Sequence, residues 1–257
     1  MLINKFTKTA MMSLCGKTNG GIFYLLPDIF MKIIYLVPLM FLWKAITQTG
    51  YQVEMSAMQL LSYTYLNALL ADMMIVRTYM TAWNFDSRSV ELFLRPMPVF
   101  AQVISYTLGE WIPNLLLFSL PMALIAPLLG IQIVPQTAWV LPSLLLCISL
   151  GFGFEFVFLC VTIRLHNVSW LTSVIRQAIV SFFSGTVIPF QVLPFGLDKW
   201  IGYQPFGSLG GAVLSLYVGS AKPQQVIPIQ IFWNIVIWTI ATVWFQRSRE
   251  RMVSFGG

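Results

Sequence analysis

Apolar residues along this chain gather into six long runs, at about 25–46, 55–76, 111–130, 139–163, 168–190 and 226–245, with polar stretches between them. Crossing a hydrocarbon core about 30 Å thick takes roughly 20 helical residues at 1.5 Å each, and the runs reach that length. They are apolar on every face. A transmembrane barrel would instead need roughly ten-residue segments of alternating polarity. The pattern therefore predicts an all-α integral membrane protein with six transmembrane helices, and 1–257 reads as one transmembrane domain.

The stretches outside these runs carry their own signals. Residues 1–22 mix Phe6, Met11, Met12 and Leu14 with Lys5, Lys8 and Lys17, the composition of an interfacial amphipathic helix. Lys32 falls early in the first run, where its stem is expected to snorkel toward the inner head groups. Segment 77–96 is the most polar part of the chain and is longer than a bundle connection needs. Within it Asp86 or Ser87 can cap a short helix carrying Val90, Leu92 and Phe93, stopped by Pro96.

Residues 97–109 are apolar, but joined to the third run they exceed a single crossing, so a separate inner-surface helix is expected, with Glu110 at the cytoplasmic interface. Pro113, Pro121 and Pro127 predict an irregular third span. From 182 to 219, Gly185, Pro189, Pro194, Gly196, Pro205 and Gly207 interrupt apolar sequence. That stretch is too broken for a continuous span and too apolar for an exposed loop. Such backbone is tolerated at membrane depth when protein covers it, which predicts a re-entrant helical hairpin on the outer face over 191–222.

Charge supplies the orientation. With both termini inside, eleven of the fifteen Lys and Arg are cytoplasmic (Lys5, Lys8, Lys17, Lys32, Arg77, Arg88, Arg95, Arg164, Arg247, Arg249 and Arg251), whereas Lys44, Lys199 and Lys222 lie outside. Arg176 falls within the fifth run. The net charge of +6 then faces the cytoplasmic leaflet and its anionic lipids, which makes membrane lipids the expected partner and not nucleic acid. A composition of 58% hydrophobic residues and a mean hydropathy of +0.78 exclude an ordinary water-soluble domain. No cleavable signal peptide is expected, because no apolar stretch of suitable length opens the chain. Cys15, Cys147 and Cys160 have no metal-site spacing, and the single His166 has no Ser or Asp constellation around it, so neither metal chemistry nor hydrolysis is expected. The chain reads as no enzyme.

The ionisable residues within or beside the apolar runs are Asp72, Glu110, Glu155, Arg164 and Arg176. Charges inside spans are costly and usually face a protein interior or cavity. Glu155 is deepest, flanked by Phe152, Phe154, Phe156 and Phe158. Arg164 stands nine residues further on, about 13.5 Å along the axis, which is out of reach. Arg176, on an antiparallel neighbour, is the expected partner. A packing-locked ion pair and a place on a substrate path both remain open for Glu155 and Arg176. Asp72 and Glu110 are expected at the interface near Arg77.

Phe183-Ser-Gly-Thr-Val-Ile-Pro-Phe-Gln-Val-Leu-Pro194, with Tyr203-Gln-Pro-Phe206 and Leu216-Tyr-Val-Gly219, resembles the outer segment of ABC-2 type permeases. The likeness is to a compact six-helix branch grouped as a domain of unknown function. Ser89-Val-Glu-Leu-Phe-Leu-Arg-Pro96 resembles that branch's Leu-Leu-Leu-Arg-Pro element, and Phe41-Leu-Trp-Lys-Ala-Ile46 resembles its end of span one. The resemblance runs from about Lys32 to the C-terminus. It departs from the branch at Asn84-Phe-Asp-Ser-Arg88, where family members often carry a glycine turn.

The resemblance implies a permease subunit of an ATP-driven exporter in a bacterial plasma membrane, paired with a second permease (the same chain or a paralogue) and two ABC ATPase subunits. It implies a cytoplasmic coupling helix in 77–96, with Phe85, Asp86, Arg88, Glu91 and Arg95 as ATPase-coupling residues. The outer motif comprises Gly185, Pro189, Pro194 and Pro205. ATP and Mg would bind the partner ATPase, leaving no cofactor in this chain. The sequence agrees on that point, because Cys15-Gly-Lys-Thr18 has Met11 where a phosphate loop needs glycine and no strand precedes it. The substrate implied is an amphipathic drug, antibiotic, peptide or lipid-linked molecule; a secondary transporter or channel is the alternative.

The charge asymmetry makes a topology prediction. Thiol labelling from outside should modify Thr49→Cys and Asp198→Cys but spare Ser87→Cys and Ser248→Cys. Labelling of Ser87→Cys from outside would reverse the orientation.

Overall fold

A computed structural model describes residues 2–49, 55–78, 92–165, 169–193 and 196–254. Among the described residues all regular structure is helical. In chain order the elements are α1 (Leu2–Thr18), α2 (Leu26–Gln48), α3 (Ala57–Met74) and α4 (Val99–Asn114). A π turn (Leu115–Ser119), α5 (Leu120–Ile125) and a 3-10 turn (Ala126–Leu129) continue directly from α4. After these come α6 (Val140–Leu165), α7 (Ser169–Phe183), α8 (Leu197–Tyr203), α9 (Gly210–Tyr217) and α10 (Pro223–Ser254).

Among the described residues, four stretches are long and apolar enough to cross a membrane: Leu26–Gln48, Val99–Leu129, Val140–Leu165 and Pro223–Ser248. The chain is thus built as a helical membrane protein. The other two runs differ from expectation. α3 has 18 residues but carries Gln59, Asn67 and Asp72, and it is not among the four. α7 has only 15 residues, about 22 Å, because the chain leaves the helix at Ser184 and turns at Gly185, whose φ of +72° suits glycine. The fifth run therefore does not continue as helix to 190.

The separate surface helix expected over 97–109 is also corrected. α4, the π turn, α5 and the 3-10 turn form one helical stretch of 31 residues, about 46 Å long and longer than a hydrocarbon core. Pro113 lies inside α4 and Pro121 opens α5. Pro113 leaves the Gly109 carbonyl without its helical donor ahead of the turn, and the wider π turn carries the helix on to Pro121 without ending it.

α6 is the central helix. Of its apolar window 56% is buried, against 11% for α2 and 17% for α10. It packs most extensively along α10 and also touches α3, α7 and α9. The main core joins Leu60, Tyr63, Leu66 and Met74 of α3 to Cys147, Leu150 and Phe154 of α6 and to Val213, Leu214 and Leu216 of α9. A second core, nearer the ends of α6 and α10, gathers Leu92, Val103, Phe156, Leu159, Ile163, Ala241 and Phe245. Buried amides tie the late helices to backbone: Gln230 donates to the carbonyls of Ser143 and Ser208, and Asn234 to that of Leu146.

The N-terminal helix is held against α4. The Ser105 hydroxyl donates to the Phe6 carbonyl, and Gly109 faces the backbone of Ala10. These contacts step four residues along both helices in the same direction, so α1 runs parallel to α4. A Cβ on Gly109 would lie 2.1 Å from the Ala10 carbonyl oxygen, too close for the helices to keep their spacing. Gly109→Val should therefore destabilise the protein by about 1–3 kcal/mol and free α1 for proteolysis. Thermal unfolding and limited proteolysis in detergent will check this; an unchanged melting temperature would contradict it.

Candidate functional site at the break in α3

α3 begins with a capping box, in which Ser56 and Gln59 each accept from the other's backbone N–H. Its other end has no such device. The helix stops at Met74, Ile75 takes φ −112° and ψ 77°, and the chain continues without helix to Thr78. Val76 is nevertheless buried, at 3% exposure. Non-helical backbone inside an apolar bundle leaves polar groups that no water can satisfy.

Two charged side chains meet that need. Glu155 of α6 accepts from the Thr78 backbone N–H at 2.8 Å and from the Thr78 hydroxyl at 2.7 Å, both through Oε2. Its other oxygen, Oε1, forms an ion pair with Nη1 of Arg176 on α7. The same guanidinium nitrogen donates to the Val76 carbonyl at 3.1 Å. The Glu155 side chain is 4% exposed and that of Arg176 is 12%. The node thus joins α6, α7 and the unwound end of α3 through charge-assisted hydrogen bonds, the stronger kind in a low-dielectric setting. Two crevices flank Arg176, one lined by Met74, Arg77, Gln177 and Leu209, the other by Phe158, Thr172 and Ser173. Arg77 is exposed, and its like charge acts on Arg176.

The node connects to segment 183–219. Phe154, one residue before Glu155, stacks on Phe206 with ring centroids 4.7 Å apart. At the end of α7 the Ser184 carbonyl accepts from the Gly211 N–H at 2.7 Å, and the Gly185 carbonyl accepts from the Tyr63 hydroxyl at 2.6 Å. Pro189 precedes a 3-10 turn, Phe190–Val192. Pro205 is half-buried between Gln204, which donates to the Phe183 carbonyl, and Phe206. Within 191–222 lie α8 and α9, and Gly210–Leu216 of α9 is buried throughout. Pro194 lies outside the described residues.

Of the residues implied in ATPase coupling, Phe85, Asp86, Arg88 and Glu91 lie outside the described residues. Arg95 is half-buried beside Pro96, whose carbonyl accepts from Lys5 at 3.3 Å. Glu110 has the charge of Lys17 within reach. Arg164 sits over the ring of Trp244 at 5.1 Å.

A second polar cluster was not foreseen. Lys32 does not reach for head groups but pairs with Asp72 at 2.5 Å, and Asn114 donates to the same carboxylate oxygen at 3.2 Å. Asp72 thus takes its countercharge from α2 and not from Arg77. The available signal was register: a lone cation near the start of one helix and a lone carboxylate near the end of its antiparallel neighbour fall at one level.

Removing one partner of a buried ion pair strands the other, at about 3–5 kcal/mol. Glu155→Gln and Arg176→Met should each destabilise the protein on that scale. The double variant Glu155→Gln/Arg176→Met keeps an acceptor for Thr78 and should recover most of the loss. Glu155→Leu/Arg176→Met strands Thr78 and should remain about 1–3 kcal/mol less stable than the Gln double variant. Thermal unfolding in detergent separates the cases; equal stability of the two double variants would leave the ion pair as the whole role.

No protein-family model and no curated protein matches this chain.

Proposed function

We propose that this chain is the permease subunit of an ATP-driven exporter of the ABC-2 type, driven by separate ATPase subunits and paired with a second permease. The carrying observation is the tie between Thr78, Glu155 and Arg176 at the point where segment 77–96 begins. A segment displaced by an ATPase would pull on Thr78. Through Glu155 the pull reaches α6, and through the ion pair it reaches α7. Phe154 on Phe206 and Ser184 on Gly211 carry both helices' movement into the outer segment. A contiguous set of hydrogen bonds and ring contacts is the kind of connection that lets a bistable bundle respond at both ends.

In this reading α2, α3, α4 with α5, α6, α7 and α10 are the six crossings, with both termini cytoplasmic. α3 crosses although it is polar, because neighbouring helices cover it; α7 crosses although it is short, with Trp170, Val174 and Phe182 exposed along its apolar flank. α8 and α9 are the re-entrant outer hairpin. ATP and Mg act on the partner ATPase, and the cargo is an amphipathic molecule moving outward across a bacterial plasma membrane.

The test is co-purification of an ATPase subunit with the full chain from its native membrane, followed by charge reversal at Arg88→Glu and Glu91→Lys. Both variants should insert normally, and both should lower transport-stimulated ATP hydrolysis toward its basal rate. Normal stimulation in both moves the contact elsewhere. Transport or conductance by the chain without any ATPase would overturn the exporter reading in favour of a secondary transporter or channel.

A further inference from the structure

The π turn places an unusual set of groups together. Asn114 precedes it and Phe118 and Ser119 lie within it. The Ser119 hydroxyl donates to the Leu69 carbonyl at 2.7 Å, and the Asn114 amide donates to Asp72, so the turn is pinned to the last two turns of α3. Such turns recur at functional sites because the extra residue re-aims side chains. Phe118 and the carboxylate of Asp72, to which Asn114 donates, border an ammonium group. Lys32 Nζ lies 2.5 Å from the Asp72 carboxylate and 5.2 Å from the centre of the Phe118 ring. Asn114 is 5% exposed, and among the described residues its Oδ1 has no hydrogen-bond partner. A carboxylate, an aromatic face and a spare amide oxygen are the elements of a cation cage.

The occupant comes from the most peripheral of the long helices. Only Leu36 and Trp43 of α2 are buried. The Lys32 side chain is 18% exposed and that of Asp72 is 25%, so the cage opens on the flank of the bundle. Lys32 also has somewhere else to go. Asp28, one turn earlier on α2 and exposed, stands in the favourable acid-before-base i, i+4 relation to it. Tyr35, one turn later and 72% exposed, adds apolar surface beside the opening.

We propose that Asp72, Asn114 and Phe118 form a binding site for the primary ammonium of a tailed amine, with Lys32 as a built-in occupant that withdraws to Asp28 when the ligand enters. The site gives the exported amphiphile of the preceding section a chemical class, and its use in transport rests on that reading; binding itself needs no ATPase. The same ammonium is carried by a cationic amphiphile and by a phosphatidylethanolamine head group.

The experiment uses the full chain in phosphatidylglycerol nanodiscs, titrated with dodecylamine, with dodecanol as the uncharged control. An internal occupant that fills the cage nine-tenths of the time lowers apparent affinity about tenfold. Lys32→Met should therefore bind dodecylamine about tenfold tighter than the natural chain, and Lys32→Met/Asp72→Asn should lose that gain. Dodecanol should bind all three alike. Asp28→Asn, which leaves the Lys32–Asp72 pair intact, should weaken dodecylamine binding about twofold. Equal dodecylamine affinity in the natural chain and Lys32→Met overturns the site. If Lys32→Met does not fold alone, dodecylamine present during extraction should restore its folded yield, and no restoration overturns the site equally. Competition by added phosphatidylethanolamine identifies a lipid head group as the ligand, and its absence identifies a free amphiphile; both uphold the ammonium site. A failed titration leaves the exporter reading standing, and failed ATPase co-purification leaves the site standing.

Discussion

The backbone of Ile75–Thr78 is released from its helix in a place where water is scarce, and the arrangement of α3, α6 and α7 follows from satisfying it. An unpaired peptide group in an apolar medium is a heavy burden. A carboxylate that accepts twice from Thr78 and a guanidinium that donates to Val76 remove that burden at two points. The two charges then neutralise each other. Glu155 and Arg176 are therefore less an isolated ion pair than a replacement for the missing turn of α3. Their burial between three elements also makes them directional: neither α6 nor α7 can shift without disturbing the chain that leads into 77–96.

The legible part of this fold was the part that hydropathy controls. α2, α6 and α10 were visible because unbroken apolar runs of that length have few other solutions. The meeting of Glu155 with Arg176 was legible too, since two lone charges on adjacent helices have few other partners. What stayed hidden depended on backbone path. Ile75 and Val76 are as apolar as the helix before them, so nothing in composition marks the unwinding after Met74. Pro113 and Pro121 read equally well as breaks between two helices, and only the π turn distinguishes one continuous stretch. Lys32 was misread because snorkelling and lateral pairing call for the same residue at the same height.

Segment 184–219 shows how glycine and proline can coexist with deep burial. α9 is only 8 residues long, too short to be stable by itself, yet it contributes Val213, Leu214 and Leu216 to the main core. It is held by its surroundings: the Ser184 carbonyl meets the Gly211 N–H at its start, and Gln59 donates to the Val218 carbonyl at its end. Gln191 bonds to both Ser215 and Ser220. Polar residues in this region mostly serve backbone carbonyls and hydroxyls of neighbouring elements, as expected where water is not available to do so.

The π turn also acts as a counting device. An α-helix advances its side chains by about 100° per residue, so the five residues of Leu115–Ser119 set the rotational phase between the two halves of the 31-residue stretch. Below the turn, Ser105 and Gly109 must face α1; above it, the Met122 carbonyl must face the Tyr65 hydroxyl of α3. Loss of one residue from the turn would leave length and hydropathy almost unchanged. Such a loss would turn the bulge back into ordinary helix with the two halves nearly in phase. One residue lost on either side of it would instead swing one half by about 100°, and the two sets of contacts could no longer form together. For a lineage carrying this chain, a single-codon deletion is therefore a smaller event inside the turn than in the regular helix beside it.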